Sequence, residues 1–417
     1  MSWQFAFLRS TFLGACLLLA ACGPAGSAGS GAAPSKPAAG GASSPPATSA
    51  APAPAAKPSG GELRIGVNLE LSGPASVWGQ PQLNALQLLA DDLNARGGIN
   101  GQPIRLIAYD NESNESKSLV VTKRLVEEDG VLAVIGGGTT PTTMPIVPYA
   151  NEQEVPVVSI GSANNIIEPI NERRWIFKTP SNTRDIVTRM LRFLESRGWT
   201  RVGFMSVNNA YGDAGRAEFE KAVAGRPFEV VAWEKFGATD TDMKPVLTRI
   251  RAQNPQVIVV WAIPPAASIV DKNYQELGLT IPLIHDHGAS SYVYHELSGG
   301  ANEGMYVVSV KSMVAAQLPD ADPVKPVAQA YVRDYEAKYN KQAGGVDAMT
   351  YDALLLIARA LERSGPDRAK LRDALESLQN VAGTTGVFNL SPTDHNGLSD
   401  KDLVIVQIRD GKWVLLE

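Results

Sequence analysis

Leu132-Ala133-Val134-Ile135-Gly136-Gly137-Gly138-Thr139-Thr140-Pro141-Thr142 joins a four-residue apolar run to three glycines and a threonine–proline pair. A short continuous apolar run closed by turn residues suits a strand buried on both faces. Threonine before proline suits a helix start, with Thr140 as hydroxyl cap and Pro141 at the first helical position. The stretch therefore reads as strand, tight loop, helix, and the same unit recurs on either side of it. Leu63 to Leu69 reads as a strand, and Leu83, Leu86, Leu89, Ala90 and Leu93 then fall on one helical face that stops at Arg96-Gly97-Gly98. Ile104 to Ala108 is a strand and Ser116 to Glu128 a helix. Val157-Val158, Val202 to Met205, Val230 to Trp233 and Val257 to Trp261 are further apolar runs. Between or after them lie helical stretches over Thr183 to Ser196, Gly212 to Ala224, Thr241 to Ala252 and Ser268 to Leu277. Strands separated by helical crossovers imply parallel sheets in a doubly wound α/β arrangement.

Two such units fit, from about Glu62 to Thr179 and from about Pro180 to Val308. Val324 to Tyr339, Val346 to Glu362 and Asp367 to Leu378 read as helices, and Val404 to Ile408 with Trp413 to Leu416 as a hairpin around Asp410-Gly411. These hold too few strands for a third sheet, so they are expected to return to the two halves. The expected lobes are 61–181 with 310–382 and 182–309 with 383–417, the crossings between them forming a hinge.

The chain has 417 residues and a formal charge of −5, with 43 acidic against 38 basic side chains, which disfavours a nucleic-acid partner. Residues 1–21 read as a signal segment: Arg9 is basic, Phe12 to Leu19 are apolar, and Leu19-Ala20-Ala21-Cys22 resembles a bacterial lipobox. That resemblance implies cleavage before Cys22 and a diacylglycerol on its sulfur. Cys16 would be removed, leaving no thiol for a nucleophile, a zinc site or a disulfide. Losing Arg9 moves the charge from −5 to −6. Residues 22–60 are the lipidated cysteine and a tether, since from Gly23 to Gly60 only Lys36 and Lys57 are not Gly, Pro, Ala, Ser or Thr. Such a segment cannot bury enough apolar area to order itself, and its reach runs from roughly 35 Å as a coil to roughly 120 Å as polyproline.

Ligands of open parallel sheets sit beyond the carboxyl ends of the strands. The loops so selected are Ser72 to Gly79, Gly136 to Thr142 and Ile160 to Asn164 in the first half, and Asn208 to Gly212, Ala262 to Pro265 and His285 to Gly288 in the second. The glycine loop suits a carboxylate, because the glycines, Gly138 among them, admit close approach and a helix start presents unpaired N–H groups. From spacing alone it fits an ordinary capped turn equally well. It lacks the lysine of a phosphate-binding loop, so a nucleotide is disfavoured. His285, His287 and His295 match no metal-ligand spacing, and an imidazole in the cleft plus a packed ring is the simpler expectation. Trp78, Tyr211 and Tyr351 could stack on a ligand or serve the core. The body has no Gly-x-Ser-x-Gly elbow, so a serine hydrolase is unsupported.

Ser72-Gly73-Pro74 with Trp78-Gly79, the run Asp91-Asp92-Leu93-Asn94-Ala95-Arg96-Gly97-Gly98-Ile99-Asn100-Gly101, Val134-Ile135-Gly136, Tyr211-Gly212 and Gly299-Gly300-Ala301-Asn302-Glu303-Gly304 resemble, in order, the branched-chain amino-acid type of ABC-importer substrate-binding protein. The resemblance implies a type I periplasmic binding fold with three crossings, which closes on a small solute and presents it to a membrane permease. It places the ligand carboxylate on Thr140, with Thr139 adjacent and donors around Gly161, Ser162 and Ala163, and an aromatic wall on Trp78, Tyr211 and Tyr351. Three positions depart from the family pattern: Ile263-Pro264 where an aromatic is usual, His287 before Gly288 where a glutamate receives the ligand ammonium, and Ala163 in place of a hydroxyl residue. The expected protein is an extracytoplasmic, monomeric lipoprotein that binds a small organic or aromatic acid or a branched-chain amino acid, with no cofactor and no catalysis. A ligand-sensing receptor module of the same fold is the alternative, and a secreted enzyme comes third.

Overall fold

The computed structural model describes residues 61–417; the expected signal segment, Cys22 and the tether lie outside the described residues. In chain order the strands are β1 Leu63–Leu69, β2 Ile104–Asp110, β3 Ala133–Gly136, β4 Val157–Ser159, β5 Ile176–Lys178, β6 Arg201–Val207, β7 Glu229–Phe236, β8 Val257–Trp261, β9 Leu283–His285, β10 Tyr306–Val310, β11 Val381–Ala382, β12 Val387–Phe388, β13 Leu403–Arg409 and β14 Lys412–Leu415. The first five form one sheet in the order β2-β1-β3-β4-β5, parallel throughout. The second sheet runs β14-β13-β10-β9-β8-β6-β7, parallel from β7 to β10. It ends in the antiparallel pair β13 and β14, the expected hairpin. β11 and β12 pair by themselves.

The apolar runs follow sheet position. Strands β3 and β8 are buried along their whole length and β1 and β6 nearly so, because each has a neighbour on both edges and helices over both faces. Val230 to Trp233, expected to be buried on both faces, is corrected: it lies in β7, an edge strand paired only with β6, and is half-exposed. The three-residue strands β5 and β9 were missed because so short a run carries no period.

The first helix, Ser76–Ala95, buries Leu86 and Leu89 toward β1, each burial contributing about 1.5–3 kcal/mol. It stops where expected. Gly98 has φ +75°, and a Cβ there would lie 2.2 Å from the Gln102 carbonyl oxygen, so only glycine fits. The late helices Lys325–Tyr339 and Gly345–Ser364 return to this same side. Tyr339 donates to the Asn84 carbonyl at 2.8 Å, and Lys338 pairs with Asp91 at 2.5 Å. The helix Thr183–Ser196, by contrast, packs on β10 and β13 of the second sheet. The chain thus passes between the sheets after β5, after β10 and after β12, the three crossings of a type I fold.

Candidate functional site

Past the carboxyl ends of both sheets lies a cavity of about 230 Å³. The first sheet's side contributes Trp78, Gly138, Thr139, Thr140, Gly161 and Ser162; the second contributes Tyr211, Ile263 and His287. Two expected residues are elsewhere. Ala163 is buried in an apolar cluster with Ile166 and Ile167 and faces the site only through its backbone. Tyr351 packs against Tyr331, ring centroids 4.9 Å apart and the planes tilted by 56°, away from the cavity. Val346 and Met349 of the helix Gly345–Ser364 do line it, and sequence reasoning missed them because an apolar side chain on a core helix carries no chemical signal.

On the first wall the expected cap shifts by one residue. Thr139 has extended backbone and is the cap: its hydroxyl accepts from Thr142 N–H at 3.5 Å, while Thr142 Oγ1 receives the Thr139 N–H at 3.2 Å. Thr140 is already helical. The helix is a single turn, Thr140–Thr143, so this end offers local N–H donors rather than a macrodipole. The glycines, too, are demanded from behind. A Cβ on Gly136 would lie 2.7 Å from the Asn68 backbone oxygen, and one on Gly138 would lie 2.0 Å from Glu70 Oε2. Glu70, at the end of β1, is a buried carboxyl that receives the Thr142 hydroxyl and, at 3.3 Å, an Asn111 N–H. Burial raises its pKa above the usual carboxylate range, against the pull of those donors.

Capping leaves the Thr139 hydroxyl engaged, whereas Thr140, 2% exposed, accepts the Ala163 N–H at 3.4 Å and keeps its own proton free among the described residues. Ser162 Oγ and Trp78 Nε1 are buried without a partner among the described residues. The floor of the cavity is therefore a set of unpaired donors.

The second wall has other chemistry. Asn209 caps the helix Ala210–Val223 by accepting from the N–H groups of Tyr211, at 3.0 Å, and Gly212, at 3.2 Å. This places the Tyr211 ring over the cavity with Trp261 behind it, centroids 5.9 Å apart. The Tyr211 hydroxyl donates to Asp286, which is fully buried, turned toward Tyr211 and not into the cavity. Burial pushes the Asp286 carboxyl well above its ordinary value. It pushes the His287 imidazole down to about 3, with the Lys178 charge adding to the effect. With His287 neutral, the 3.9 Å between His287 Nδ1 and Asp286 Oδ2 is not an ion pair. His285 points away: its Nε2 meets Asp271 Oδ1 at 2.8 Å in the core. Ile263 and Pro264 complete an apolar side. Of the cavity's lining, the one carboxylate among the described residues is Glu115, at the exposed rim.

Among the described residues no cluster of three His, Cys, Asp or Glu could hold a metal, and no helix is long and apolar enough to cross a membrane. The arrangement can grip a solute of one ring or one branched chain, since at about 230 Å³ it falls below the roughly 300–1,000 Å³ of pockets that take drug-sized ligands.

Comparison with known proteins agrees with this fold. The profile of a family described as periplasmic binding protein matches residues 62–412. The leucine-specific-binding protein of Salmonella typhimurium is 22% identical over 306 residues, 73% of this chain and 79% of that protein. An extracellular ligand-binding receptor from Rhodopseudomonas palustris HaA2 superposes with a TM-score of 0.80 at 24% identity, over 85% of this chain and 99% of that one. A solute-binding protein of an ABC transporter from R. palustris, solved with benzoate, gives 0.75 at 23% identity over 85% and 96%.

Proposed function

Because the chain belongs to the periplasmic binding protein family, we propose that it is the solute-binding lipoprotein of an ABC importer, tethered through Cys22, that captures a small carboxylate and delivers it to a membrane permease. It is an extracytoplasmic solute-binding protein and not an enzyme, as its family and relatives are. The lobes, 61–181 with 310–388 and 182–309 with 389–417, the last boundary falling after β12 and not at the expected 382 because β11 and β12 pair, close as a monomer about the three crossings. The solute docks on Thr140 and Ser162, the Thr139 hydroxyl being spent on its cap, and Tyr211 and His287 then favour the closed state by contacts made only there.

One observation carries the ligand class: the inner lining offers the Thr140 and Ser162 hydroxyls as donors and no ionised acid. A carboxylate is satisfied by that floor. An α-ammonium is not, and micromolar binding is worth only about 8 kcal/mol, of which an unpaired buried ammonium would remove several. Asp286, which might have supplied the counter-charge, is turned away and held by Tyr211. An organic or aromatic acid is therefore preferred to a branched-chain amino acid, and relatives named for leucine and solved with benzoate span that choice. Isothermal titration with benzoate and branched aliphatic acids against leucine, isoleucine and valine tests it. Tighter binding of the acids is expected. Tight leucine binding would defeat the preference, and silence from every carboxylate would defeat the function.

A further inference from the structure

Strand β5 ends in a lysine that has no contact with solvent: Lys178 is 0% exposed. Its Nζ donates to three backbone carbonyls, Ser162 at 2.7 Å, Pro180 at 3.2 Å and Ser181 at 3.4 Å. Three donors meet three acceptors, so its hydrogen bonding is satisfied. Its charge is not. Among the described residues no carboxylate hydrogen-bonds the ammonium, and a buried cation without an anion is unfavourable.

The first of those carbonyls leads to the cavity. The Ser162 carbonyl, which also receives Thr183 Oγ1 at 3.3 Å, belongs to the peptide whose N–H, on Ala163, donates to Thr140 Oγ1. Thr140, having accepted, has its proton left for a ligand. Hydrogen bonds in such a chain polarise one another, so the cation behind the peptide strengthens the donor in front of it. The same charge reaches across the cleft to the His287 ring.

We propose that Lys178 is the buried counter-charge of the site and the positioning residue of the 160–163 loop, selecting an anion over a neutral solute of the same shape. The selection rests on the proposed function; the positioning does not. Lys178 belongs to the floor that makes the site anion-seeking, not to the lining that touches solute.

Burial brings the Lys178 ammonium down to about 7. An anion in the cavity would favour its charged form, so affinity for anions falls as pH rises above that value. The other groups acting on it are Asp185 and Arg184 of the helix Thr183–Ser196, Glu168, and Asp394 beside His395 on the returning chain, while across the cleft it faces His287. His287, at about 3, is already neutral across this range. Asp286 also titrates above its ordinary value, so Asp286→Asn, which keeps a partner for Tyr211, serves as the control.

The test uses the body of the chain as purified, with Lys178→Met beside it. In the ligand-free proteins, hydrogen exchange of the 160–163 amides should quicken about tenfold in the variant while β1 and β8 hold their rates; unchanged exchange overturns the positioning role. Titration with benzoate and with benzyl alcohol should show the variant losing about tenfold or more for benzoate and little for the alcohol, a charge-assisted bond being the difference. Equal losses overturn the selection. If wild type binds neither benzoate nor leucine, the functional reading falls and takes the selection with it, while exchange still judges the positioning. Should Lys178→Met fail to fold, wild type and Asp286→Asn decide: benzoate affinity should weaken about tenfold from about pH 6 to about pH 9 in both. A flat wild-type profile, or one flattened by Asp286→Asn, overturns the proposal.

Discussion

The two walls of the cavity hold their chemistry in opposite ways. On the first, Thr140 and Ser162 keep free donors because the backbone behind them has been satisfied by others: Thr139 caps the turn, and Lys178 takes the Ser162 carbonyl. On the second, the polar groups have turned on one another, Tyr211 onto Asp286, and His287 is left neutral in an apolar setting. One wall therefore bonds and the other covers. The difference teaches that two walls of one cavity can split the work, one keeping free donors and the other supplying area and shape.

Substituting Thr140 by Val should break that contrast most severely. Loss of a donor to a charged group costs about 1.5–3 kcal/mol, so carboxylate affinity should drop about 10- to 100-fold while the melting temperature hardly moves, titration and calorimetry being run on one sample. A large fall in stability with affinity intact would return Thr140 to a structural role. Tyr211→Phe asks the same of the covering wall. It strands the Asp286 carboxyl, so stability should fall by about 1–3 kcal/mol, with a smaller loss of affinity than Thr140→Val gives; urea unfolding measures the first. An affinity loss matching that of Thr140→Val would mean that both walls bond the solute. Thr139→Ala sharpens the distinction between neighbours. Loss of a cap costs about 1 kcal/mol, and here affinity should stay near wild type.

The effect that is smallest at neutral pH concerns His287. Burial lowers His287 from 6.5 to about 3, so between those values the unfolded chain holds the proton and the folded one does not. The stability tied to His287 is complete above the unfolded value and is lost as pH falls toward the folded one. His287→Gln should leave stability at neutral pH little changed and flatten its decline on acidification, read by unfolding at neutral and acid pH. A decline as steep as wild type would show that the ring is not held neutral.

Much of this was legible beforehand, and the reasons are local. The run Leu132 to Ile135 marks a central strand because both faces of β3 are covered, and glycine at 98 marks a helix end because its backbone has positive φ. The same rule misread Val230 to Trp233, since an apolar run does not say which strand lies at the edge. Within the site, the carboxyl-end rule chose the loops, and nine of the residues named from them line the cavity. Tyr351 failed because helical phase alone does not decide which neighbour a ring meets, and it meets Tyr331. Lys178 gave no sign, a single lysine at the end of a three-residue strand being indistinguishable from a surface one.

What the residues determined alone was the alternation of strand and helix, the doubling of that unit and the loops that face the cleft, since period and turn chemistry act over a few neighbouring positions. Only the tertiary structure decided which threonine caps and which one keeps a free hydroxyl at the cavity, which way Asp286 turns, and that a buried ammonium lies under Ser162. A hydroxyl or a carboxyl can bond in several directions, and the direction it takes is set by partners that the chain brings up from elsewhere in the sequence.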